Sequence, residues 1–198
     1  VILTHKNVVE NIKSTAARFP IGSTDRLLTF LPWAHAFGKT VELHIFPAVG
    51  AALGLAESSR TIANDLLLVN PTILNSVPKI FCIIYDKIHL KMENSKFKRA
   101  LLEYSENIAQ KNQSGEASIF DKMQFALVNK TVAAQIRAAF GNSLRFCISG
   151  GASLSPKVMT FFESFGVKIY EGYGMTEHSP IIAVNNPTLK KIGCVGRA

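Results

Sequence analysis

Residues 170–180 read Tyr-Glu-Gly-Tyr-Gly-Met-Thr-Glu-His-Ser-Pro, and they carry the densest chemistry in the chain. A predicted strand, Val167 to Glu171, delivers the backbone into a glycine-spaced loop where Gly172 and Gly174 flank Tyr173. Glycine lets a backbone come close to a ligand or take a positive φ. The flat face of Tyr173 suits a nucleobase, and the Thr176 hydroxyl can hydrogen-bond a phosphate oxygen. The Glu177 carboxylate can hold the Mg²⁺ that accompanies a nucleoside triphosphate. Residue types alone also accommodate a plainer reading, an ordinary turn with a surface glutamate and a packed tyrosine.

Two further stretches have the same character. Residues 145–156, RFCISGGASLSP, read as a strand, a Gly150-Gly151 pair and a helix start, so nothing protrudes where a ring or a phosphate could approach. A tight strand-to-helix turn explains the pair equally simply, but it lies one βα unit before the Tyr173 loop, which sends both to the same sheet edge. Residues 30–38, FLPWAHAFG, put Trp33 and His35 just after an apolar run. That histidine can donate to a phosphate or a carboxylate, and the tryptophan can wall an apolar pocket, unless both are ordinary packing residues.

The elements that must position these loops alternate along the chain. Val8, Ile12, Ala16 and Phe19 recur at helical spacing and are closed by Pro20 and Gly22. Predicted strands follow at Leu27 to Leu31, Ala51 to Leu55, Thr72 to Val77 and Leu144 to Ser149. Between them come helices through Val41, Ile45 and Val49, over Ile62 to Val69 with Ser58 and Ser59 as caps, and from Pro156 with Ser155 as cap. From Pro78 to about Phe140 the pattern is helical, with Phe97, Leu101, Tyr104 and Ile108 on one face and a polar link at 111–116. The expected fold is therefore α/β, a mostly parallel sheet flanked by helices with a helical insertion at about 86–140.

Composition sets limits. Hydrophobic residues make up 47% and charged residues 18% of 198, against about 25% charged in an average globular protein. This favours a heavily buried architecture over disorder. The net charge of +8 attracts anions without choosing among them. The nearest thing to a basic cluster, Lys87, Lys91, Lys96, Lys98 and Arg99, reads as a solvated helix face or as a membrane-surface or anion contact. No interleaving of basic and aromatic residues supports nucleic-acid binding. Cys82, Cys147 and Cys194, like the five histidines, are too scattered for a disulfide framework or a zinc site. No apolar stretch reaches the roughly 18–20 residues of a membrane span. The chain opens at Val1 and stops at Ala198 in what reads as mid-sequence, so it is expected to be an internal piece of a longer protein.

The three loops, in this order, resemble the core motifs of the adenylate-forming (AMP-binding) superfamily. VILTHKN at residues 1–7 resembles the tail of its phosphate-loop motif, and KIGCVGRA at the end resembles the stretch before its ribose-binding aspartate. SVPKIFCIIYDKI, residues 76–88, and the helical insertion are similar to long-chain fatty acyl-CoA synthetases, although Cys82 and Ile83 stand where an acidic-basic pair is usual. The resemblance implies that residues 1–198 are one part of the large N-terminal AMP-binding domain, in a protein that uses ATP, Mg²⁺ and CoA to turn a fatty acid into acyl-adenylate and then acyl-CoA. A fatty acyl-AMP ligase, another acid ligase or a non-catalytic nucleotide- or lipid-binding relative is the alternative. It further implies His35, Thr176 and Glu177 as catalytic, with Glu177 on the metal. Gly151, Ala152, Glu171, Gly172, Tyr173 and Thr176 would bind nucleotide, and Trp33, His35, Ala36 and Phe37 would border the acyl chain. Flanking segments and a C-terminal domain with a catalytic lysine are implied as partners, so the isolated chain is expected to be inactive. The expected setting is cytoplasmic, with peripheral membrane contact as an option.

Overall fold

A computed structural model describes residues 1–93, 100, 103, 104, 107, 111, 118 and 132–197. Its frame is a six-stranded sheet in the order β2-β1-β3-β4-β5-β6, formed by β1 (Arg26–Thr29), β2 (Ala52–Leu55), β3 (Ile73–Ser76), β4 (Phe146–Ser149), β5 (Ile169–Gly174) and β6 (Ile181–Val184). The first five strands are parallel, and β6 returns antiparallel to β5. Helices link them: α1 (His5–Ala16) before β1, α2 (Ala36–Gly38) and α3 (Ile45–Ala48) joined by a π-helical turn (Lys39–His44), α4 (Ile62–Val69), α5 (Pro78–Glu93), α6 (132–138) and α7 (Pro156–Ser164). The chain runs from β1 outward to β2 and then crosses back to β3 on the other side of β1. That reversal makes a topological switch point beyond the carboxyl ends of β1 and β3, where parallel sheets open a crevice.

Successive side chains on a strand face opposite ways, and here both ways are apolar. Leu28, Leu74, Cys147 and Ile169 face a layer built from α4, α5, α6 and α7, with Leu66, Phe81, Ile136 and Phe162 at its centre. Leu27, Ile73, Phe146, Ile148 and Tyr170 face the other layer, formed by Phe19 just after α1 and by Val41, Ile45 and Phe46 from the α2–α3 segment. Each fully buried large side chain contributes about 1.5–3 kcal/mol, which is why adjacent apolar pairs such as Leu27-Leu28, Ile73-Leu74 and Phe146-Cys147 form the strand interiors.

Local signals largely set the element ends, with several corrections. Thr4 and Asn7 form a reciprocal capping box on α1. The cap of α4 is Thr61 rather than Ser58 or Ser59, and the Thr61 hydroxyl accepts from the Ser58 N–H and donates to Asp65. Ser155 makes no side-chain cap on α7, where Pro156 occupies the first helical position. The loop expected after Glu171 is still strand as far as Gly174, because β6 pairs with it. Of the helical face expected in the insertion, Tyr104 is described, helical and exposed, while Phe97, Leu101 and Ile108 lie outside the described residues. Lys87 and Lys91 are exposed on α5, while Lys96, Lys98 and Arg99 are outside the description. Among the described residues no helix is long and apolar enough to cross a membrane.

At the amino-terminal edge of the sheet one carboxylate ties three strands together. Asp25, 1% exposed, accepts from Arg145 Nη1 at 2.6 and 2.8 Å, from the Thr72 hydroxyl at 2.6 Å and from the Gly22 N–H at 2.9 Å. These donors stand just before β1, β3 and β4. Burial pushes the carboxyl up, but the hydrogen bonds from Thr72, Arg145 and Gly22 outweigh it and hold Asp25 below its ordinary value of 3.8. Its contribution is therefore present above that value and lost as the pH falls through the depressed one. Asp25→Asn should lower unfolding stability at pH 7 by roughly 2–3 kcal/mol, less than for a fully buried pair because Arg145 is partly exposed. Urea unfolding should show the gap between variant and wild type narrowing as the medium is acidified.

Candidate functional site

Beyond the carboxyl ends of β1, β3, β4 and β5 lies a cavity of about 310 Å³. Leu31, Pro32, His35, Ala36, Phe37, Gly38 and Val41 supply one wall, and Gly150 and Gly151 line it from the turn between β4 and α7. Gly172, Tyr173, Gly174, Met175 and Thr176 supply the opposite rim, with Phe19 and Ile148 deeper on the apolar side. The stretch around His35 thus meets the two glycine-bearing stretches, which lie more than a hundred residues further along the chain, at one place. Of the residues singled out from sequence, His35, Ala36, Phe37, Gly151, Gly172, Tyr173 and Thr176 line this cavity.

The glycines are there because side chains would not fit. A Cβ on Gly150 would come within 2.7 Å of the Phe37 ring, and one on Gly174 within 2.2 Å of the Pro180 carbonyl oxygen. Gly151 has φ +84°, a conformation that side-chain-bearing residues rarely adopt. Tyr173 is 52% exposed, so its ring face is available to a ligand.

The remaining candidates stand elsewhere. Glu177 is exposed on the 3₁₀ turn Thr176–His178 and borders a more open hollow shared with Lys6, Asn7, Glu10 and Asn11. It adjoins the cavity through Thr176 but does not line it. Glu171 is 3% exposed, and its carboxylate accepts the Leu154 N–H at 2.8 Å. Its side chain therefore fixes the Gly-Gly turn from behind. Ala152 is exposed beside Gly151, outside the lining. The Trp33 indole turns away from the cavity's lining, with Nε1 donating to Thr29 Oγ1 at 3.1 Å and to Glu42 Oε2 at 3.3 Å. Among the described residues no group of three or more His, Cys, Asp or Glu could hold a metal unaided.

Two polar residues that the sequence reading passed over hold the site in shape. Asn11 on α1 donates to the carbonyls of His178 (3.1 Å) and Ile181 (2.8 Å) and accepts from the Ile181 N–H at 3.3 Å. It grips the turn that carries Thr176 and Glu177, which the Thr40 hydroxyl reaches through Ser179 O at 3.4 Å. Asn11 sits at helical spacing from Val8, and that polar break in an apolar stripe was the available signal. The other is Glu42, wholly buried on the π-helical turn. Burial pushes its carboxyl up from 4.5 to about 7, against the opposing pull of the hydrogen bonds from Thr29 and Trp33 and of the neighbouring Leu31 and Phe30 backbone dipoles.

The AMP-binding enzyme family matches residues 1–198. The chain is 28% identical to the long-chain-fatty-acid–CoA ligase FadD15 of Mycobacterium bovis, over 98% of this chain and 33% of that protein. It is 33% identical to long-chain-fatty-acid–CoA ligase 6 of Mus musculus, over 89% of this chain and 25% of that protein. The N-terminal domain of FACL13 from Mycobacterium tuberculosis superposes with a TM-score of 0.64 at 19% identity, covering all of this chain and 40% of that one. That likeness shows the fold. The chain spans a third or less of the length of these curated relatives.

Burial of the Glu42 carboxyl makes the stability of the fold depend on pH. A carboxyl whose folded value exceeds its unfolded one stabilises the fold fully below about 4.5 and loses that contribution as the pH rises through about 7. A shift of this size corresponds to about 3 kcal/mol. Glu42→Gln, which cannot ionise, should match wild-type stability near pH 4 and exceed it by up to that amount near pH 8, as read from urea midpoints.

Proposed function

The chain belongs to the AMP-binding enzyme family, and from that membership we propose that the longer protein it is part of activates a long-chain fatty acid with ATP and passes the acyl group to CoA. Residues 1–198 act in this reading as one portion of the N-terminal AMP-binding domain. The observation that carries the proposal is the convergence of the Tyr173, Gly151 and His35 loops on one cavity at the switch point of the sheet.

The chemistry follows from what such a cavity must do. The carboxylate oxygen of the acid attacks the α-phosphorus of ATP, a new acyl oxygen–phosphorus bond forms, and pyrophosphate leaves. The CoA thiol then attacks the acyl carbonyl, its proton is lost, and AMP departs with the electron pair of the broken C–O bond. Two anions must be held together, so positioning and stabilisation of charge developing on phosphate are the main demands. Tyr173 stacks on the adenine, while Gly151 and Gly172 let the ring approach and exposed Ala152 adjoins it. Glu171 serves by holding the Gly-Gly turn through the Leu154 N–H. Thr176 donates to phosphate, and His35 stands toward the α-phosphate and the acid. Ala36, Phe37 and the apolar side chains of Phe19, Val41 and Ile148 receive the start of the acyl chain.

Glu177 fits a Mg²⁺ that arrives with the nucleotide, because that ion needs one or two protein carboxylates and takes its other ligands from phosphate and water. When bound, the metal offsets phosphate charge. A protein that handles apolar acids fits a cytoplasmic setting with peripheral membrane contact.

The intact parent protein tests the reading. It should release pyrophosphate from ATP only when a long-chain acid is present, and yield acyl-CoA when CoA is added. Accumulation of acyl-adenylate with no thioester would reassign it to acyl-AMP ligation, and acid-independent inertness would remove catalysis altogether. Glu177→Gln should slow pyrophosphate release by at least about tenfold, and an unchanged rate at saturating Mg²⁺ would take Glu177 out of the site.

A further inference from the structure

We propose that Glu42 is a positioning residue that sets the acid-facing wall of the cavity by pinning both ends of the segment that forms it. The proposal rests on the reading that this cavity activates a carboxylic acid. Glu42 is 0% exposed. Its Oε2 accepts from the hydroxyl of Thr29, the last residue of β1, and from Trp33 Nε1 at 3.3 Å, while the same indole N–H reaches Thr29 Oγ1 at 3.1 Å. One carboxyl thus gathers the strand end, the loop and the π-helical turn. The segment between its two ends, Phe30 to Val41, contains His35 and Phe37.

Elsewhere the segment is held near its far end, where Asn75 donates to Val41 O at 3.2 Å and the Thr40 hydroxyl to Ser179 O at 3.4 Å. His35 is exposed, and its backbone N–H is fixed only within the loop, to Pro32 O at 3.0 Å. Gly38 packs so closely that a Cβ there would lie 2.9 Å from both Leu31 Cβ and Pro32 O, so the loop folds tightly on the helix start that Glu42 anchors.

The chemical identity of the anchor is informative as well. Glu42 Oε1 is buried with no hydrogen-bond partner. An apolar residue of similar volume would fill the site without that desolvation cost, so stability does not account for a carboxyl here. Directionality does. Thr29 and Trp33 bond each other directly, and the single oxygen Oε2 accepts from both, so the carboxyl ties that pair to the π-helical turn in a way a hydrocarbon cannot.

The test compares Glu42→Leu, Glu42→Gln and Trp33→Phe in the intact parent protein. Misplacing a reacting group by about 1 Å costs on the order of a hundredfold. Glu42→Leu should therefore lower kcat/KM for the fatty acid by at least about tenfold and leave the KM for ATP within about threefold. Glu42→Gln, which keeps an oxygen for Thr29 and Trp33, should recover most of that loss, and Trp33→Phe should fall between them. Hydrogen exchange followed by mass spectrometry gives a readout independent of turnover, with faster exchange expected over residues 30–41 in Glu42→Leu but not across β3 to β5. The proposal is overturned if folded Glu42→Leu keeps wild-type acid kinetics, if acid and ATP parameters fall together, or if exchange over 30–41 is unchanged. Should Glu42→Leu not fold, Trp33→Phe carries the same three criteria. An inactive wild-type parent would sink the functional reading alone, and the exchange result would still decide whether Glu42 sets the segment.

Discussion

Five parallel strands with apolar side chains on both faces leave little room for polar chemistry within the sheet. Everything able to bind or react is pushed to the strand ends, and the reversal between β1 and β3 decides where along the carboxyl edge a crevice opens. The few polar side chains inside follow the same logic. Asn75 and Ser149 are buried toward the carboxyl ends of β3 and β4, with Asn75 reaching Val41 O at 3.2 Å on the wall of the cavity. The Asp25 cluster sits at the opposite edge, where it can knit the strand starts together without intruding on a ligand.

Around the cavity the residues divide into those that face it and those that hold the facing ones. His35, Gly151, Tyr173 and Thr176 face it. Glu171 braces the Gly-Gly turn, Asn11 braces the turn after Tyr173, and Glu42 braces the segment around His35. In each case a polar side chain meets backbone or side-chain polar groups at the point where the loop leaves the regular sheet. A loop held this way can be short and rich in glycine without losing its shape.

Local pattern made much of this legible. The apolar runs at Leu27, Ile73 and Phe146 are strands because both their faces are buried, helical spacing placed α1, and cap-forming residues before Ile62 placed α4. The glycine pairs marked the two turns that approach the cavity, since a Cβ at Gly150 or Gly174 has nowhere to go. Long-range partners were not legible. Nothing near Trp33 in sequence says that its indole N–H turns to Thr29 and Glu42, and nothing near Glu171 says that Leu154 claims its carboxylate. The antiparallel β6 also went unread, because four apolar residues after a proline have no local mark that separates them from a loop packed on the core.

A π-helical turn contains one residue more than the α-helical turn it replaces. Each residue advances an α-helix by about 100°, so the extra position between Lys39 and His44 re-aims everything on one side of it relative to the other. Removing any single residue from that turn would give a smoother helix with better hydrogen bonding, yet it would swing Glu42 or Ile45 out of register with what it now meets. A length change of one is therefore less tolerable here than most substitutions, and homologous chains aligned through this region should keep their spacing even where their letters diverge.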